Sequence, residues 1–298
     1  MISGNVPKHL VSGARTGFLV ATRSAKMPWQ RIAMQLNMDG KSQDLVDLGA
    51  APMPVKSTTG REIQDMIEKS ISVTPEDWEI IVWISQNAID DDRTGELDRK
   101  SRGAGINFQR HINKRVFEVL NGGDGSTYGA CYDSSDFFDD DHADAGAHYN
   151  TDQDNENALT LSLDNFETVY VAAQQFVDDQ GEYTEYMYNL LTVHPSNERI
   201  ASQICTNEWS YDGANRERNP YDGKMSYIVS SNLDTTAWHL IAADEDIKPI
   251  IVAMRKQPTL QDAWFDPLQP DGGRNYFKFH ARYEMYYGDW RLAAQGNT

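Results

Sequence analysis

The chain has 298 residues, enough for one large domain or two ordinary ones, and 40% hydrophobic, 10% aromatic and 24% charged residues give it a globular composition. A formal charge of −18 excludes a protein whose main task is gripping phosphate backbones, because such surfaces rely on clustered Lys and Arg. No apolar run approaches the ~20 residues of a membrane span, and the first twenty residues lack the basic start and apolar core of a signal peptide.

Residues 8 to 21 set Leu10, Val11, Ala14, Phe18 and Leu19 at helical spacing, which predicts a short amphipathic N-terminal arm. From Trp29 the pattern turns extended in "WQRIAMQLNM". Residues 40 to 86 read as a long excursion of strand character with little core of its own. Its end, "SISVTPEDWEIIVWIS", is rich in β-branched and aromatic residues and breaks near Pro75. An isolated hairpin is only marginally stable in water, so this excursion needs a surface to lie against.

The clearest helix follows, in "ELDRKSRGAGINFQRHINKRVFEVLNGG". Leu97, Ala104, Phe108, Ile112, Val116 and Val119 form one stripe, and Gly122 sits where a C-cap belongs. Gly103 and Gly105 each cost a helix about 1 kcal/mol relative to Ala, which suggests a close backbone approach. The opposite face carries Arg99, Lys100, Arg102, Arg110, Lys114 and Arg115. This basic stripe is open to three readings: a solvated face, pairing with acidic neighbours, or contact with packaged nucleic acid.

Residues 122 to 160 have loop composition. A second helix is expected from Asp164, with Glu167 completing a capping box, with Phe166, Val169, Tyr170, Ala173 and Val177 buried, and with Gly181 at its end. "MYNLLTVHPSNERIASQIC" reads as strand, turn at Pro195, and a helix capped by Ser196. "AWHLIA" and "KPIIVAM" are further strands. In "YFKFHARYEMYYGDW", Phe277, Phe279, Ala281, Tyr283, Met285 and Tyr287 alternate with polar or wetter residues, the signature of a long strand with one packed face. The class is α+β, without an internal repeat.

The segment "CYDSSDFFDDDH", residues 131 to 142, looks like a site. It fails the metal templates. An EF-hand frame from Asp90 matches Asp92, Thr94 and Gly95 but has Ser101 at position 12, and a frame from Asp133 puts Phe137 at position 5. His142 and His148 flank "ADAGA" with no Cys pair and no H-E-x-x-H. No G-x-S-x-G occurs, no G-x-G-x-x-G follows a strand, and "GGDGSTYGA" lacks the Lys of a phosphate loop. Cys131 and Cys205 belong to no paired motif, so a reducing cytoplasm fits and no disulfide framework is expected. No catalytic, cofactor-binding or metal residue is therefore assigned. The loop is either a metal or acid nest or a polar loop whose aspartates cap backbone amides.

The order of segments resembles the Mu-like phage major head subunit family. "ACYDSSDFFDDDH" carries the resemblance together with "WQRIAM", "ISQNAIDDDRTG", "VFEVLNGG", "LLTVHPSNERIAS", "WHLIAADEDIKPIIVAMRKQP" and "YFKFHARYEMYYGDWRLA", which stand in family order over residues 27 to 294. Two departures stand out: the family has Pro soon after the acidic His where this chain has "ADAGAH", and residues 40 to 69 match only loosely.

The resemblance implies a tailed-phage major capsid fold of the Hong Kong 97 type. Its parts would be an N-terminal arm and first strand (1–39), an extended β-loop (40–86), a peripheral domain with a long spine helix (87–121), an axial domain (122–235) and a return to the peripheral domain (236–298). It implies a non-enzymatic shell protein without cofactors, assembling into hexamers and pentamers around double-stranded DNA with no membrane partner. Assembly would take place in the host cytoplasm and the product would be a virion. Folded patterning begins almost at once, so a separate scaffolding protein is expected, and the capsid resemblance implies a portal as a further partner. Against this stand a metal-dependent hydrolase centred on Asp139, Asp140, Asp141 and His142, and a non-catalytic head-decoration or baseplate protein. Within the capsid reading Phe137 and Phe138 would anchor the loop, at the junction of spine and axial domain.

Overall fold

The computed structural model describes residues 6–40, 43–48, 68–91, 94–142, 152–178, 181–212, 215–269 and 272–297. The first half of the chain gives α1 (Lys8–Ser24), β1 (Ala33–Asn37), β2 (Gln43–Leu48), β3 (Glu68–Val73), β4 (Glu76–Ser85), α2 (Gln86–Asp90) and α3 (Thr94–Asn121). After a long loop come β5 (Glu156–Asn157), α4 (Leu163–Ala173), β6 (Leu190–Val193), α5 (Glu198–Thr206), β7 (Trp209–Asp212), β8 (Asn215–Arg218) and β9 (Ser226–Val229). The chain closes with β10 (Trp238–Ile241), β11 (Ile250–Asp266), β12 (Arg274–Tyr287) and β13 (Ala293–Gly296). Among the described residues no helix is long and apolar enough to cross a membrane.

Strand alternation builds the first sheet, ordered β1–β11–β12–β4, in which only β1 and β11 run parallel. The six residues of β12 expected inside, Phe277 to Tyr287 in steps of two, are all buried. They face α1 and α3. Phe18 of α1 stacks on Phe279 at 4.2 Å and meets Phe108 of α3 edge-on at 5.8 Å. The N-terminal segment is thus a packed helix with Leu10, Ala14 and Phe18 in the core. The expected stripe of α3 is buried from Leu97 to Val119, each large side chain contributing roughly 1.5–3 kcal/mol.

The two mid-helix glycines of α3 differ. A Cβ on Gly105 would lie 2.6 Å from the Phe18 carbonyl oxygen, whereas one on Gly103 would meet nothing within 4 Å. Gly105 therefore sets the α1–α3 approach and Gly103 does not. Gly103→Ala is expected to raise stability by about 0.5–1 kcal/mol through helix propensity. Gly105→Ala is expected to lower it by about 1–3 kcal/mol, because overpacking outweighs that gain. Urea unfolding of the two variants gives shifts of opposite sign.

The second sheet runs β5–β13–β10–β6–β9, and every residue of β6, β10 and β13 is buried. Its helices depart from the sequence reading at their ends. The cap of α4 is Ser162, whose Oγ accepts from the Asn165 amide at 3.2 Å, so the helix starts before Asp164. It ends at Ala173, and Val177 instead bridges to Tyr183. Ser196 does not cap α5: the helix starts after Asn197, whose side chain makes no capping hydrogen bond, and the His194 Nδ1 caps the preceding 3₁₀ turn by accepting from the Ser196 amide. Strand β11 is longer than expected: it continues through Pro258, and its register shifts between Met254 and Asp262 take up a residue with no N–H to donate.

Strands β2 and β3 pair antiparallel with each other, from Gln43 opposite Val73 to Leu48 opposite Glu68, and with no other described strand. At the base of this ribbon Met38, Val73 and Ala253 form a small cluster under Tyr286, whose hydroxyl accepts from the Thr74 amide at 2.8 Å. The remainder of the 40–86 excursion, residues 41–42 and 49–67, lies outside the described residues.

Candidate functional site

The 131–142 loop leaves α3 through Gly123, where an added Cβ would lie 2.6 Å from the Phe138 ring, and the Phe138 amide donates to the Gly123 carbonyl at 2.7 Å. Phe137 and Phe138 are both buried. Phe137 stacks on Tyr287 of β12 at 4.7 Å, and Phe138 on His239 of β10 at 5.3 Å. Adjacent rings therefore reach the two different sheets, and the loop clamps them together, as the anchoring role expected of this pair requires.

The polar residues do local work. Asp133 accepts from the Ser135 amide, and Asp139 from the Asp141 amide, each at 3.2 Å. Asp140 and Asp141 are exposed. His142 is buried with its ring 4.0 Å from Trp290 and nearly parallel to it. Its Nδ1 lies 2.8 Å from Asp133 Oδ2 and its Nε2 3.2 Å from Asn155 Oδ1. Burial works to raise the Asp133 carboxyl, but the hydrogen bond and charge of His142 outweigh it and hold the group below the ordinary range. Among the described residues no three His, Cys, Asp or Glu side chains form a metal-holding group, and His148 lies outside them. Cys131 is buried, which raises its thiol well above the usual value and makes it a small apolar residue of this wall.

Asn155, which the sequence reading missed, is the centre of this network. It is fully buried, and its Nδ2 donates to the carbonyls of Phe137, Trp290 and Ala293 at 2.9, 3.3 and 3.2 Å. Its Oδ1 accepts from the Asp139 amide at 3.0 Å. One amide thus ties the acidic loop to the strand and turn at 290–293. Nothing local distinguishes it from its neighbours in "TDQDNEN".

His239 was also missed. It stands between Thr192 and Gln295 in cross-strand register, with Nδ1 3.2 Å from Thr192 Oγ1. Complete burial lowers its pKa to about 3 from an ordinary 6.5. Below 6.5 the unfolded chain gains a proton that the folded chain refuses, so stability falls with pH from 6.5 toward 3, by up to ~1.4 kcal/mol per pH unit. Thermal unfolding at pH 7, 5.5 and 4 is expected to show this slope in the wild type and a flatter one in His239→Asn.

The basic face of α3 is mostly neutralised within the chain. Lys100 pairs with Glu96, Arg102 with Asp98, Lys114 with Glu118, and Arg115 with Glu118 and Glu284, at 2.7–3.3 Å. Of the three readings of the stripe, the geometry gives pairing with acidic neighbours. Such pairs contribute little stability but cancel charge.

The arrangement joins two sheets, a long helix and a self-paired ribbon through an anchoring loop. Solved structures similar to this chain include phage capsids, a virus-like particle from Pyrococcus furiosus and an encapsulin from Synechococcus elongatus. The chain is similar to the procapsid of bacteriophage JBD30 (20% identity, 98% of this chain and 76% of that chain covered, TM-score 0.53) and to the JBD30 capsid (19%, 78% and 97%, TM-score 0.57). It is also similar to the capsid of Ralstonia phage GP4 (13%, 89% and 87%, TM-score 0.52). The fold is the tailed-phage major capsid fold of the Hong Kong 97 type. No curated protein matches the sequence. Residues 8–160, half of the chain and including the acidic loop, match the family model described as Mu-like prophage major head subunit gpT, and the chain belongs to that family. It is a major capsid protein of a phage head, a reading the family match favours over a hydrolase centred on residues 139–142.

Proposed function

We propose that this chain builds an icosahedral head from hexamers and pentamers around double-stranded DNA, as a structural protein with no enzymatic step. The observation that carries the reading is the β2–β3 ribbon, which pairs with no other described strand. A two-stranded ribbon is marginal in water, so a neighbouring subunit supplies its support. The division into arm, extended loop, spine-helix region, axial domain and returning segment, with limits at residues 39, 86, 121 and 235, belongs to the same proposal. So do a separate scaffold, a portal and assembly in the host cytoplasm. With a net charge of −18 and a spine helix whose cations are largely paired, the inner wall would repel packed DNA and leave it unstuck.

Electron microscopy of the purified protein alongside its elution on a sizing column tests this. Closed shells or rings of five and six subunits support it. A stable monomer that gains thermal stability with a divalent ion would overturn it.

A further inference from the structure

The sheet β1–β11–β12–β4 has two faces, and the helices cover one. On β4, Trp78, Ile80, Val82 and Ile84 turn toward the core with Phe277 and Phe279 of β12. The alternate residues point the other way. Across three strands, Trp83 of β4 is in register with Tyr276 of β12, and Tyr276 with Trp264 of β11. The Tyr276 and Trp264 rings stack at 5.2 Å, 9° from parallel. None of these three rings packs into the core, and Ile81 beside them does not either. Trp83 is 39% exposed and Ile81 45%. The Arg274 guanidinium lies 4.0 Å from the centre of the Trp83 ring and the Lys100 ammonium 4.7 Å from it.

Trp, Tyr and Arg are the residues that carry most binding energy at protein–protein contacts, because they bury large rigid surfaces. The electrostatics admit a second copy of the chain at this face. Two copies of a chain carrying −18 repel each other over a Debye length, roughly 10 Å at moderate salt. Beside the aromatic row, however, carboxylates and cations stand together: Glu79 pairs with Lys278, Asp77 with His280 and Arg282, and the exposed Asp262 is in register with Lys278. This apolar, locally balanced face lets two such copies approach at low electrostatic cost.

We infer that the Trp83–Tyr276–Trp264 row is a seat for a second copy of this chain, one of the subunit contacts from which the shell is built. The inference rests on the shell reading and deepens it by naming the surface. Sedimentation over a concentration series, with electron microscopy of the products, compares the wild type with Trp83→Glu, Trp83→Phe and Ile81→Glu. Circular dichroism and the subunit's own melting temperature check folding.

The wild type and Trp83→Phe are expected to assemble. Trp83→Glu and Ile81→Glu are expected to need at least tenfold higher concentration while melting as the wild type does. If Trp83→Glu does not fold, the Ile81→Glu result decides. Glutamate variants that are folded and assemble like the wild type overturn the surface and leave the shell reading standing. A wild type that stays monomeric at every concentration overturns the surface as a self-association seat, and overturns the shell reading as well if a divalent ion raises its thermal stability.

Discussion

Asn155→Ala is expected to cost the folded subunit roughly 3–5 kcal/mol, read as a lower denaturation midpoint with an unchanged m-value. The amide makes three donations and takes two contacts, all inside the protein. Truncation leaves the carbonyls of Phe137, Trp290 and Ala293 and the Asp139 amide short of a partner. Each buried group so stranded costs about 1–3 kcal/mol, although neighbouring losses do not add fully. Against a total stability of about 5–15 kcal/mol this places the variant near the edge of folding. Asn155→Asp separates hydrogen bonding from size. It keeps the acceptor oxygen but sets a carboxylate against the three carbonyls, and it is expected to be at least as damaging. A loss under about 1 kcal/mol in both variants would mean that the loop is not held by this residue.

Phe137→Ala is expected to cost about 3–5 kcal/mol, and Phe137→Leu about 1–2. The ring is fully buried and lies flat on Tyr287, so its removal leaves a cavity between the two sheets. Tyr287 cannot swing in to fill it, because its hydroxyl donates to the carbonyls of Val119 and Gly122 at 3.0 and 3.2 Å. The contrast lies three and four residues on. Asp140→Asn and Asp141→Asn change exposed side chains and are expected to stay within about 0.5 kcal/mol of the wild type. Urea unfolding of the four variants thus separates an anchoring loop, in which the phenylalanines matter, from an acidic site, in which the aspartates would.

What was legible in the sequence followed periodicity. The alternation of β12 and the stripe of α3 are local patterns, and both are buried as read. The tandem phenylalanines were legible because two large apolar residues amid aspartates have nowhere else to go. The misreadings came where local signals compete or where a partner is remote. At α4, Ser162 and Asp164 are both good caps, and only the backbone decides between them. At β11 the strand expected from "KPIIVAM" stops at Met254, because only the neighbouring β12 holds the ladder on through the bulges to Asp266. Asn155 reaches a partner 138 residues away at Ala293, and no spacing rule spans that distance. The basic stripe was visible, and its carboxylate partners on the same helix lie within one turn of it. Glu96, Asp98 and Glu118 stand three or four residues from the cations they neutralise.

The strand orders have a consequence for synthesis on the ribosome. The first sheet needs β11 and β12 to join β1 and β4, and the second needs β13 to sit between β5 and β10. Neither can close until the last fifty or so residues have been made, so the subunit folds late and with distant pairings, a slow regime. A fragment released early would contain the sequences of the long helix and the ribbon but not the strands that close the sheets. In a particle where every position must be sound, translation itself then becomes the inspection step, because only a chain made as far as β13 has surfaces to offer its neighbours.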